Sequence, residues 1–232
     1  MSAIDDLLDA IFDDRKLPLV PEFAGWLRES RRFRAFATLY RSKIRTKLKN
    51  TRDDAGLRDV RAELEAAALL LREERFTLEY EAYAASRQRG PDFTVVFKTH
   101  TRFNVEVRRV RSIELDDDAH DRAGKLMAVL CDKVGQMPPS LVNLLWLTAD
   151  HDLSEAELTQ AAGALRLLAE RKVEDYFTRR GFENAADFLR QYQKLSGIVL
   201  RAPEGRAVWL NPLARHKAPP DLVAALRRLG DA

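Results

Sequence analysis

The stretch Leu141–Thr148 reads LVNLLWLT, and this nearly unbroken apolar run constrains the fold more than any other segment. A strand with one wet face alternates apolar and polar residues. A continuous run suits a central strand covered on both faces, and therefore a sheet flanked by helices. Three strand-like segments precede it. Phe76–Tyr83 (FTLEYEAY) alternates. Asp92–Lys98 (DFTVVFK) and Phe103–Val110 (FNVEVRRV) follow. Thr99–Arg102 between them is short enough for a hairpin turn, although it lacks the Asn-Gly signal. A helix is expected over Leu57–Glu74, where Leu57, Val60, Leu64, Ala67, Ala68 and Leu71 form one stripe. Another is expected over His120–Gln136, stopped by Pro138 and Pro139. From Leu57 to Thr148 the order is helix, strand, strand, strand, helix, strand. That order predicts an α/β fold with a mixed central sheet flanked by helices.

The flanks read as helical. Residues 3–14 form an amphipathic pattern ended by Pro18 and Pro21. Residues 22–49 suggest one or two basic helices, whose apolar side includes Phe23, Trp26, Phe33 and Phe36, before a polar turn at Asn50–Gly56. Beyond the apolar run, Ser154 and Glu157 make a capping box for a helix reaching about Arg180, which Gly181 would end. Residues 184–195 are helical in pattern, Ile198–Ala202 and Ala207–Leu210 suggest a hairpin, and a last helix is expected near Pro220–Leu229. The chain thus divides into an N-terminal basic helical region (1–56), a core (57–150), and C-terminal helices plus hairpin (151–232), packed as one unit.

Composition limits the function classes. The single cysteine, Cys131, excludes an internal disulfide framework and suits a reducing, cytoplasmic setting. His100, His120, His151 and His216 show no zinc-like spacing. The start, MSAIDDLLDAIFDD, lacks the basic end and apolar run of a signal peptide, and no apolar stretch is long enough to predict a membrane span. The segment Arg28–Arg52 holds many cations against one acid, Glu29. Such a field suits a polyanion, or else a solvated helix face; Arg41, Lys43, Arg45 and Lys47 are its candidate phosphate contacts.

The chemistry concentrates in the hairpin. Along Phe103–Val110, Phe103, Val105 and Val107 point to one side and Asn104, Glu106 and Arg108 to the other. Charge on a core strand requires a partner, solvent or a metal. Antiparallel pairing brings Asp92, directly after Pro91, close to Glu106 or Arg108. Lys98 lies roughly 20 Å away along an extended strand and is too distant for the same site. On the preceding helix Glu65 falls among arginines, as a surface ion-pair residue would. Glu63 falls on the shoulder of the apolar face, aimed at the sheet. Arg109 and Arg111 read as surface charges.

Pro91-Asp92 followed by Glu106-Val107-Arg108, after a helix bearing Glu63 and before a helix and a strand, resembles the PD-(D/E)XK superfamily, whose fold is that of the restriction endonucleases. The resemblance covers about residues 57–148. It implies a restriction-endonuclease-like core. It also implies that Asp92 and Glu106, with Glu63, hold Mg2+ or Mn2+, and that the chain hydrolyses phosphodiester bonds in nucleic acid, DNA more than RNA. The pattern's lysine position holds Arg108, which stays protonated and cannot act as a base but can hold a phosphate. From the residues alone, Arg108 could equally form an ion pair with Glu106. Lys125 and Lys133 on the following helix could supply the missing lysine, and Gln136 a polar contact. The alternative to a nuclease is a nuclease-derived module that binds nucleic acid or a partner without catalysis. A homodimer is compatible with either.

Overall fold

A computed structural model describes residues 2–13, 16–82, 90–110, 119–203 and 205–229, with residues 119–122 described in backbone only. Expectations for Asp14, Tyr83, the connection 84–89, Arg111, the His120 side chain and Glu204 fall outside the described residues. The described residues form ten helices and one open, mixed six-stranded sheet. The helices are α1 (Ala3–Ile11), α2 (Leu19–Glu29), α3 (Arg31–Leu39), α4 (Arg41–Asn50), α5 (Asp54–Leu70), α6 (Ala119–Val134), α7 (Glu155–Glu170), α8 (Glu174–Thr178), α9 (Ala185–Tyr192) and α10 (Pro220–Arg228). The strands are β1 (Phe76–Tyr80), β2 (Phe93–Phe97), β3 (Thr101–Val110), β4 (Val142–Ala149), β5 (Leu195–Arg201) and β6 (Arg206–Leu210). They lie side by side in chain order. β1–β2, β2–β3 and β5–β6 pair antiparallel, whereas β3–β4 and β4–β5 pair parallel.

Parallel neighbours need long crossovers. Helix α6 makes the one from β3 to β4, and α7–α9 make the one from β4 to β5. The central strand β4 is buried on both faces, as its apolar run requires. Leu144 and Trp146 enter the core beneath α1–α5 and α10; Leu145 and Leu147 enter the second core beneath α6, α7 and α9. The C-terminal region therefore contributes two strands to the same sheet as the helix-strand-strand-strand-helix-strand segment.

Several expected boundaries differ. The basic segment is three helices, because Ser30 takes an extended conformation and its side chain accepts from the Phe33 amide to start α3, and Tyr40 breaks the chain again before α4. Pro18 sits at the start of α2 as well as beyond the end of α1. Helix α5 begins three residues before Leu57, since Asp53 caps it by accepting from the Gly56 amide. The expected helix to Arg180 is two helices, separated where Lys172 adopts a left-handed φ of 55°. Lysine is not a turn residue, so composition gave no sign of that break. The capping box at Ser154 and Glu157 is present.

Arg109 corrects the reading of a surface charge. It is 6% exposed, and its guanidinium donates to Asp59 (2.9 Å) and Asp150 (2.8 Å), joining α5 to the end of β4. Arg109 lies on the same sheet face as Val105 and Val107, where α5 covers β3, so alternation alone directs it inward.

Candidate functional site

The β2–β3 register aligns Phe93 with Val105. Asp92 consequently stands beside Glu106 at the next step, and its Oδ2 accepts a 2.8 Å hydrogen bond from the Val107 amide. This bond anchors the carboxyl against the middle of β3. Beneath it a buried polar ladder crosses three strands. Thr94 Oγ1 donates to Asn104 Oδ1 (3.2 Å), and Asn104 Nδ2 donates to Asn143 Oδ1 (2.9 Å). The ladder satisfies the polar face expected around Glu106 and stiffens the sheet there.

Glu63 arrives from α5. It accepts from the Tyr80 hydroxyl (3.0 Å) at the end of β1 and from the Lys47 ammonium. Lys47, from α4, also pairs with Glu81 (3.0 Å) and approaches Asp92 (3.9 Å). Glu81 has a left-handed φ of 47° and donates its amide to the Asp92 carbonyl (2.7 Å), so the turn after β1 presses its carboxylate toward the cluster. One ammonium thus serves three carboxylates. Burial, then the charges of Glu63 and Glu106, push the Asp92 carboxyl well above the usual carboxylate range, against the lowering effects of Lys47 and the Val107 amide. Burial also raises Glu63, although Lys47 works against it. Burial alone would lower Lys47, but the negative groups around it, Glu63 first, hold its ammonium above the ordinary value.

The second lysine at the cluster is Lys133. It reaches from α6 to Glu106 at 2.5 Å. Glu106 therefore pairs with Lys133 and not with Arg108. Among the described residues Arg108 has no hydrogen bond or ion pair. It is half-buried and lines a cleft of about 410 Å³ together with Lys133 and Gln136. Gln136 lies just past α6 and donates to the Asp132 carbonyl (2.9 Å). Lys125 is exposed on α6, more than two turns before Lys133.

The four candidate phosphate contacts of α4 are placed differently from one another. Lys43 donates to the Tyr80 (2.9 Å) and Glu81 (3.3 Å) carbonyls. Arg45 binds the Ala10 carbonyl (3.2 Å) and Asp13 (2.5 Å), tying α4 to α1. Lys47 belongs to the acid cluster. Arg41 alone makes no hydrogen bond or ion pair among the described residues. Much of the basic segment is thus spent on internal contacts: Arg32, for example, holds the Leu71 and Glu73 carbonyls, both at 2.7 Å. Glu65 pairs with Arg61 (3.6 Å) and Arg201 (3.7 Å), and Lys98 with Asp221 (2.6 Å), both away from the cluster.

Sequence reasoning missed Tyr80, Glu81 and the position of Lys47 in the cluster. In FTLEYEAY, Tyr80 reads as an ordinary apolar-side residue, and no spacing rule links Lys47 to a hairpin more than forty residues on. No family model, curated protein or solved structure significantly matches the chain. No described helix is long and apolar enough to cross a membrane.

Proposed function

We propose that the chain is a metal-dependent phosphodiesterase acting on nucleic acid, with DNA the preferred class, on a restriction-endonuclease-like core spanning α5 to β4. The observation that carries this reading is the Asp92 carboxyl, fixed by the Val107 amide beside Glu106, with its proton held more tightly first by burial and then by the charges of Glu63 and Glu106. Buried like charges are costly, and a cation that neutralises them accounts for their retention. The donor set fits Mg2+ or Mn2+. Both accept hard carboxylate oxygens, and Mg2+ is held by one or two carboxylates with water completing its shell, which Asp92 and Glu106 can provide. Such an ion would supply charge neutralisation of the phosphate and a more acidic bound water. Arg108, permanently charged and without a partner among the described residues, would stabilise the phosphate and not take a proton. The direct test is incubation with supercoiled, linear and single-stranded DNA in magnesium, manganese or chelator. Cleavage that needs the metal and is lost in Asp92→Asn and Glu106→Gln supports the reading. Undiminished cleavage in excess chelator, or in either variant, overturns it.

A second reading is a nuclease-derived module that binds nucleic acid or a partner without cutting. It is favoured by the lysines: Lys47 sits on Glu63 and Glu81 near Asp92, and Lys133 sits on Glu106. Among the described residues no three acids, cysteines or histidines are arranged to hold a metal ion together. Salt-sensitive binding of DNA without cleavage in any metal selects this reading. A cytoplasmic location accompanies either.

A further inference from the structure

The cleft lined by Arg108 and by Lys133, the ion-pair partner of Glu106, extends beyond the helix-strand-strand-strand-helix-strand segment. One wall is β3 and the end of α6, bearing Arg108 and Lys133; the other is the α8–α9 corner, bearing Arg180. We propose that Arg108 and Arg180 form a phosphate subsite that holds the backbone of a bound nucleic-acid strand next to the Asp92/Glu106 cluster. The proposal deepens the nucleic-acid reading and rests on it for the identity of the ligand.

Three observations carry it. First, Arg180 is held in place before any ligand arrives. Its guanidinium carbon lies 3.7 Å from the centroid of the Tyr176 ring, and its Nη1 donates to the Tyr176 carbonyl at 2.9 Å. One hydrogen bond and a stacked face leave most of its five donors available, and a stacked guanidinium loses less rotamer freedom on binding an anion than a mobile one. Second, the backbone beneath it is anchored. The Arg180 amide bonds to the Phe177 carbonyl (3.0 Å), and Phe177 is fully buried and stacked on Phe188 at 4.5 Å. Third, Arg108 on the facing wall has no ion pair among the described residues although it is half-buried. Desolvating a guanidinium without a counter-charge is unfavourable, and an anion in the cleft relieves that cost.

Two acids also line this cleft. Asp187 is engaged by Arg190 (3.1 Å) and accepts from the Asn184-capped turn through the Glu183 amide (3.2 Å). Asp132 is exposed and forms no ion pair among the described residues. Asp132 therefore opposes an incoming phosphate, and its removal has the opposite sign to removal of either arginine.

The measurement is the affinity of the full chain for a labelled single-stranded DNA 20-mer, in chelator so that no cleavage occurs, across a salt series. Arg180→Ala should weaken binding about tenfold, as loss of one charge-assisted phosphate contact does. It should also reduce the slope of log affinity against log salt by roughly 0.7, the value for one contact on a single strand. Arg180→Lys should keep the slope and recover part of the affinity. Asp132→Asn should bind a few-fold tighter, and Arg166→Ala, at an exposed pair on α7, should match the parent. Unchanged affinity and slope in both Arg180→Ala and Asp132→Asn overturns the subsite, as does absence of DNA binding by the parent. Asp132→Asn keeps the test decisive should Arg180→Ala fold poorly. Metal-dependent cleavage with Arg180-independent binding would remove the subsite alone; Arg180-dependent binding without cleavage in any metal would remove the phosphodiesterase reading alone.

Discussion

Asp92 is held by opposing influences: Lys47 and the Val107 amide favour its charged form, whereas burial and the neighbouring Glu63 and Glu106 favour its neutral form and prevail. An acid whose folded pKa is raised binds its proton more tightly in the folded than in the unfolded chain. Stability then falls as pH rises from the unfolded value, near 4, through the raised folded value. Asp92→Asn removes that titration and keeps an oxygen for the Val107 amide. In chelator its melting temperature should equal or exceed the parent's, with the gap smallest near pH 4 and widening toward pH 8. A variant that melts lower at every pH would identify Asp92 as a turn residue only. Lys47 behaves oppositely. Lys47→Met leaves Glu63, Glu81 and Asp92 without their shared cation, and denaturant unfolding at pH 8 should register a loss of about 3 kcal/mol, at the lower end for a broken buried pair because the lysine retains 28% side-chain exposure. A loss below about 1 kcal/mol would mean that the acids are already neutral.

At the scale of elements, α4 is a strut as much as a charged face. Had all of Arg41, Lys43, Arg45 and Lys47 contacted duplex DNA, neutralising them together would lower the salt slope by several units, at roughly 0.9 per contact. With Lys43, Arg45 and Lys47 bound internally, the fourfold variant should lower it by about 0.9, the share of Arg41, and should also destabilise the fold. A drop of three units or more would show that the three leave their internal partners to bind DNA. The β5–β6 hairpin makes a separate prediction. A Cβ at Gly197 would lie 2.7 Å from the Trp209 carbonyl oxygen on the paired strand. Backbone must shift to admit it, so Gly197→Ala should cost about 2 kcal/mol in chemical denaturation, within the range for an overpacked core. No change would mean that the hairpin separates easily from the sheet.

For the molecule as a whole, the proposed metal binding would be linked to folding. A cation that binds only the folded chain stabilises it by about 2.7 kcal/mol at a hundredfold excess over Kd. For a chain of this size that raises the melting temperature by roughly 5–10 °C. Thermal melts in millimolar magnesium or manganese should show this rise over chelator, and Glu106→Gln should abolish most of it. An identical melt with and without metal favours the non-cutting module. The sequence by itself determined the strand-and-helix order from Leu57 to Thr148, the burial of β4 on both faces, and the approach of Asp92 to either Glu106 or Arg108. Each follows from local periodicity or from the pairing of a short hairpin, and such information lies within a few residues. Only the tertiary structure decided that Lys47 reaches the acids from α4, that Lys133 and not Arg108 pairs with Glu106, that Asp59 and Asp150 are the partners of Arg109, and that Arg180 lines the same cleft as Arg108. Those contacts join residues tens of positions apart through long, flexible side chains. Their partners are chosen by how helices settle on the sheet and by where charge must be neutralised out of water, and neither leaves a mark in sequence spacing.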